Sequence, residues 1–143
     1  MRIFTVGHSN LELAEFAQLL EAAGVQSVID VRKLTGSKRY PWFNDDSLAE
    51  HLPERGIAYG KSAGLAGRRN VSHTVPFDVN ANWQNRSFHN YADHALGDEF
   101  ADALSELRQH AARVPRREGS ELLCTRSEFV VVDEEIEETA ADV

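Results

Sequence analysis

From Arg2 to Arg32 the chain reads RIFTVGHSNLELAEFAQLLEAAGVQSVIDVR, and this stretch decides the fold. Arg2-Ile3-Phe4-Thr5-Val6 is short and rich in β-branched and aromatic residues, which predicts a buried strand ended by Gly7. Leu13, Phe16, Ala17 and Leu20 then recur at helical spacing, while Glu12, Glu15, Gln18 and Glu21 fill the other face. Ser9 and Glu12 have capping-box spacing and Asn10 is an alternative cap, so the helix is expected to begin there. Gly24 supplies its stop. Val25 to Val31 reads as a second strand, which the helical crossover makes parallel to the first. Strand, polar turn, helix and strand bring Gly7-His8-Ser9-Asn10 and Asp30-Val31-Arg32 to one sheet edge. Open α/β proteins bind their ligands at such an edge.

Further along the chain, Lys33 to Asn44 contains Gly36, Ser37 and Pro41 and reads as a loop. Ser47 to Arg55 predicts a short helix disturbed by Pro53 and closed by Gly56, and Ile57-Ala58-Tyr59 a short third strand. Gly60 to Asn90 carries few periodic signals. Loops of that length in compact domains are functional or mobile. From Phe88 the pattern turns helical, with a break at Gly97-Asp98. An apolar stripe of Phe100, Leu104, Leu107, Ala111 and Val114 follows, and Pro115 ends it. Glu121-Leu122-Leu123-Cys124 is a candidate fourth strand and Phe129 to Val132 another; from Asp133 the chain is a short acidic helix or a disordered tail. The expected architecture is a single α/β domain with a mainly parallel sheet flanked by helices. Residues 1–127 form the domain and 128–143 an acidic C-terminal segment.

At 143 residues the chain suits one domain with its own core. No apolar run approaches the roughly 18–20 residues that span a bilayer, and no signal peptide is expected. The single Cys124 excludes an internal disulfide and suits a reducing, cytoplasmic setting. The net charge of −8 is uneven: residues 128–143 hold seven acids and no Lys or Arg, which leaves 16 acids against 15 bases before them. Between Arg32 and Arg69 there are eight Lys or Arg and four acids, so an acidic chain still offers a locally positive surface to a polyanion.

The chemistry-bearing residues gather around the two opening strings. A strand-to-helix turn presents backbone N–H groups and a helix dipole to an anion, so Gly7 and Ser9 are candidate anion binders and His8 a proton donor. A tight turn with an N-cap is the plainer alternative. Strand alternation puts Asp30 and Arg32 on one face and Val31 on the other. Together they could orient a substrate, hold a phosphate, act as base and electrostatic stabiliser, or form a structural ion pair. Ser37-Lys38-Arg39-Tyr40-Pro41-Trp42-Phe43 mixes cations with rings, the combination that grips phosphates and stacks on bases. A loop whose rings anchor in the core explains it as well. Tyr59, Lys61, Arg68 and Arg69 flank Gly64-Leu65-Ala66-Gly67, which allows a tight backbone approach but lacks the phosphate-loop pattern. His89 and His94 are five apart, without the four-residue spacing of helical metal ligands, and Cys124-Thr125-Arg126 lacks a phosphatase-type loop around it. No metal or cofactor is expected.

Phe4-Thr5-Val6-Gly7-His8-Ser9, Val28-Ile29-Asp30-Val31-Arg32 and Ser37 to Phe43, in this order, resemble the DUF488 family of small α/β proteins. Leu48 to Leu52, Gly56-Ile57-Ala58-Tyr59, Leu65-Ala66-Gly67 and Tyr91-Ala92 continue the resemblance over residues 2 to 124. The family pattern goes on to a Cys-His-Arg segment that is absent here, which implies a diverged or truncated C-terminal end. The resemblance implies a compact fold with a polar cleft and no established reaction. Asp-Val-Arg is also similar to a string of rhodanese-like domains, which makes a sulfurtransferase a weaker alternative. The sequence points first to an enzyme, or the relic of one, acting on a phosphate-bearing substrate such as a nucleotide or nucleic acid. In that reading His8, Asp30 and Arg32 are catalytic, and Gly7, Ser9, Arg39, Tyr59 and Lys61 bind substrate. The alternative is a non-catalytic module that holds nucleic acid or an acidic partner.

Overall fold

The computed structural model describes residues 2–8, 10–113 and 129–133. Strand β1 (Arg2–Val6) leads into helix α1 (Leu13–Ala22) and strand β2 (Ser27–Asp30). A 3₁₀ turn (Pro41–Phe43) precedes helix α2 (Asp45–Glu54) and strand β3 (Ala58–Lys61). A second 3₁₀ turn (Ala63–Leu65) is followed by helices α3 (Arg86–Ala95) and α4 (Asp98–Arg113) and strand β4 (Phe129–Asp133). Gly24 (φ 69°) and Gly56 (φ 75°) close α1 and α2 in the left-handed region that only glycine enters without strain.

Among the described residues the four strands form one sheet in the order β1-β4-β2-β3. The β2–β3 pair is parallel, with Asp30 opposite Lys61 and Val28 opposite Tyr59. Strand β4 lies between β1 and β2 and runs antiparallel to both. The three earlier strands therefore share one direction, as the helical crossovers require, but β1 and β2 are not neighbours. The crossover through α1 leaves room for one strand, and the β-branched run Val130-Val131-Val132 fills it.

Alternation along β2 sorts the two hydrophobic clusters. Val28 belongs with Phe16, Ala17 and Leu20 of α1, Leu48 and Leu52 of α2, and Phe43, all of them fully buried. Ile29 and Val31 face the other way, onto Leu65 and the α4 stripe of Ala103, Leu107 and Ala111. Helices α1 and α2 thus cover one face of the sheet and α4 the other. The single-domain α/β expectation holds.

One local expectation is corrected. Helix α1 begins at Leu13, with Glu12 as its N-cap, and the Glu15 carboxylate accepts from the Glu12 amide at 2.9 Å. The expected start at Ser9 or Asn10 is displaced because the Leu11 amide bonds back to the His8 carbonyl at 3.1 Å, forming a turn that must finish first. Helix α2 runs from Asp45 through Pro53 to Glu54; that proline sits in the last turn, so the hydrogen bond it removes breaks the ladder only where the helix ends. The candidate strand Glu121 to Cys124 lies outside the described residues.

Candidate functional site

The carboxyl ends of β1, β2 and β3 meet the loop 33–44 at one edge of the sheet. Asp30 is the last residue of β2 and is 1% exposed. Its Oδ1 accepts from the Arg32 backbone amide at 2.9 Å and from Arg32 Nε at 2.9 Å. Its Oδ2 accepts from Arg32 Nη2 at 2.7 Å and from the Tyr59 hydroxyl at 2.8 Å. Sharing a face, as alternation predicts, makes this fork-on-fork pairing geometrically accessible. A carboxylate offers about four lone-pair sites, and here four donors fill them.

Arg32 is held from a second side, because its Nη2 also donates to the Phe43 carbonyl at 2.8 Å. Phe43 is the hinge of the arrangement. Its ring is fully buried, stands edge-on to Phe16 at 5.2 Å, and carries the His8 imidazole stacked at 4.2 Å with 15° between planes. His8 also meets the Tyr40 ring edge-on at 6.0 Å. Through Phe43 the end of β1 reaches the Asp30–Arg32 pair, so His8, Asp30, Arg32 and Tyr59 form one connected set. Burial, followed by the hydrogen bond to Asp30 and that carboxylate's charge, pushes the Tyr59 phenol well above its usual range. Tyr59 therefore keeps its proton and donates a standing hydrogen bond to Asp30.

The rim is less uniform. Lys61 pairs with Asp45 at 2.6 Å, and that contact holds the Asp45 carboxyl below the usual carboxylate range. Lys61 also lines a cavity of about 390 Å³ between β3 and α4. Arg39 is exposed, its guanidinium 5.3 Å from the Tyr40 ring centroid. Gly7 is half-buried at the end of β1, and Ser9 lies outside the described residues. The rings of Ser37 to Phe43 anchor the loop: Phe43 is in the core, Trp42 Nε1 donates to the Leu11 carbonyl at 3.1 Å, and Tyr40 packs beside it.

The glycine string behaves differently at its two ends. A Cβ on Gly64 would lie 2.5 Å from that of Ala103, so this glycine lets the 3₁₀ turn touch α4; a Cβ on Gly67 would point into open space. Arg69 is turned inward to the same turn, donating to the carbonyls of Ala63, Gly64 and Ala66 and pairing with Glu99 at 2.9 Å. It stabilises the loop and is no rim cation; Arg68 is exposed. His94 joins it by a 2.7 Å bond to the Gly64 carbonyl.

Sequence reasoning missed Phe43 as the link between His8 and Arg32, since a buried ring and a ligand-stacking ring look alike in a string. It also passed over His89 and Asp93, whose four-residue separation on α3 was the available signal. Among the described residues, no group of three His, Cys, Asp or Glu is placed to hold a metal, and no helix is long and apolar enough to cross a membrane. Cys124, the one cysteine of the chain, lies outside the described residues.

A buried Asp–Arg–Tyr network at the strand ends of a sheet covered by helices on both faces defines a small α/β protein with a polar sheet edge. The chain belongs to the family described as Domain of unknown function DUF488, whose family model matches residues 12–128. The match includes Asp30, Arg32, Tyr59 and Lys61 and begins after Gly7 and His8. No curated protein and no solved structure matches the chain.

Proposed function

We propose that the edge formed by the ends of β1, β2 and β3 receives a phosphate-bearing ligand, a nucleotide or nucleic acid. The observation that carries the reading is the Asp30–Arg32–Tyr59 network, tied to His8 through Phe43, at the carboxyl ends of three strands of common direction. In this reading Asp30 is a positioning residue: its lone pairs are filled by Arg32 and Tyr59, and it fixes both. The Arg32 guanidinium, 10% exposed, supplies fixed positive charge under the ligand. Arg39 and, once released from Asp45, Lys61 neutralise outer phosphates. The backbone N–H of Gly7, at the end of β1, binds the anion, and His8 is the proton-transfer group of this reading.

The test is a salt titration of binding to labelled single-stranded DNA and to ATP. Affinity is expected to fall linearly with salt on logarithmic axes, and Arg32→Lys to weaken it, because an ammonium cannot reproduce the bidentate fork. A flat salt response for every phosphate ligand overturns the reading.

A second reading, binding without turnover, is favoured by one observation. Asp30 already accepts from four donor groups, which leaves His8 alone to carry proton transfer. Incubation with a nucleotide and DNA panel separates the two: product formation that disappears in His8→Asn marks an enzyme, and binding without product marks a module.

A further inference from the structure

A second cavity, of about 260 Å³, lies between the segment 71–84 and α3, and shares no residue with the Asp30 network. Its floor is polar and buried. The side chains of His89 and Asp93 are 7% and 3% exposed, and His89 Nε2 stands 3.6 Å from Asp93 Oδ2. Asp93 Oδ1 accepts from Asn80 Nδ2 at 2.8 Å. The His89 contact is longer than a hydrogen bond, so among the described residues the Asp93 carboxylate has a single hydrogen-bond donor. A buried carboxylate with about four acceptor sites and one neutral donor is under-satisfied, and that state costs free energy unless another donor arrives.

The walls supply the other half of a site. Phe77 and Trp83 line the cavity yet are 75% and 51% exposed, on a segment with no regular structure. Phe77 stacks on His89 at 4.6 Å with 21° between planes, which ties one wall to the floor. Trp83 stands edge-on to Phe88 at 5.7 Å. Arg86, the first residue of α3, adds a guanidinium to the lining. Large rings held at the surface beside an under-satisfied carboxylate serve no core.

We propose that this cavity binds a planar heterocycle bearing N–H donors, specifically a nucleobase. Asp93 accepts from its amino group or ring N–H, Phe77 and Trp83 cover its faces, and Arg86 meets a phosphate attached to it. The volume lies just below the roughly 300 Å³ at which pockets for drug-sized ligands begin, which suits one ring system. A carboxylate and a guanidinium in one cavity select a ligand with a donor edge and an anionic tail. An organic cation would satisfy Asp93 but meet repulsion from Arg86.

Calorimetric titration of the full chain with adenine, AMP, ribose 5-phosphate and tetramethylammonium tests the proposal. Adenine and AMP are expected to bind, AMP more tightly. Trp83→Ala, at an exposed position that threatens no core, weakens both about tenfold, the size of a lost base-stacking contact. Asp93→Asn weakens adenine as well, and if that variant does not fold, Trp83→Ala carries the test alone. Adenine affinity untouched by Trp83→Ala overturns the proposal, as does binding of tetramethylammonium in place of adenine. Adenine binding that is lost in Arg32→Lys but kept in Trp83→Ala overturns it too, while leaving the strand-edge reading in place.

Discussion

At the scale of single residues, the decisive feature is that Asp30 and Arg32 were made to meet by a two-residue spacing. A carboxylate that is 1% exposed is stable there only because the guanidinium and the Tyr59 phenol answer it. Arg32→Ala would leave that charge buried with its main partner gone, and is expected to cost about 3–5 kcal/mol in urea unfolding, the range for breaking a buried pair. Tyr59→Phe removes one hydrogen bond and should cost about 1–3 kcal/mol. The raised Tyr59 phenol also sets a pH dependence. An unfolded chain releases that proton near pH 10, whereas the folded chain keeps it to higher pH. The stabilisation is present in full below about pH 10 and is lost as pH climbs through the folded value. Stability curves of wild type and Tyr59→Phe should converge on the alkaline side. Of this network, the shared face of Asp30 and Arg32 was legible because a strand has period two. The Phe43 carbonyl and the Tyr59 hydroxyl were not, because both arrive from loops and strands whose approach no local pattern encodes.

Among the elements, the contact between the 3₁₀ turn at Ala63–Leu65 and α4 is the most exacting. A methyl on Gly64 would meet Ala103 at 2.5 Å and the Glu99 carbonyl at 3.1 Å, both parts of a helix that cannot yield. Gly64→Ala should therefore cost about 1–3 kcal/mol, the range for overpacking, and Gly67→Ala much less, since a Cβ there would point into open space. Thermal melts of the two variants check the contrast. Helices α1, α2, α3 and α4 were all readable from helical patterning, with Gly24, Gly56 and Gly97 marking the ends of the first three. The N-cap of α1 was misplaced by two to three residues, because Ser9 and Asn10 look like caps while a backbone turn from His8 to Leu11 takes precedence. The rings of residues 40–43 show the limit from the other direction: composition cannot tell an anchor from a ligand platform, and here contacts with the core make them anchors.

For the whole molecule, the direction of β1, β2 and β3 followed from the crossovers, but the order of strands did not. Adjacency depends on which edge a distant segment finds, and the Val130-Val131-Val132 run finds the gap between β1 and β2. Replacing Val131 by proline removes a ladder amide in the middle of the sheet, and is expected to abolish cooperative unfolding, read by circular dichroism. A variant that melts like wild type would mean that the sheet holds together without β4. The position of that strand also bears on how the molecule is made. During synthesis the pairing of β2 with β3 and the packing of α1 and α2 involve only residues up to about 61, and they can form on the emerging polypeptide. The inward edges of β1 and β2 must wait with unsatisfied backbone groups until residues 129–133 leave the ribosome. Closure then joins residue 2 to residue 133, a contact of very long sequence separation and hence a slow one. The nascent chain therefore passes through a stage in which its sheet is open at the centre, and it is in that interval that a holdase chaperone would find its binding site.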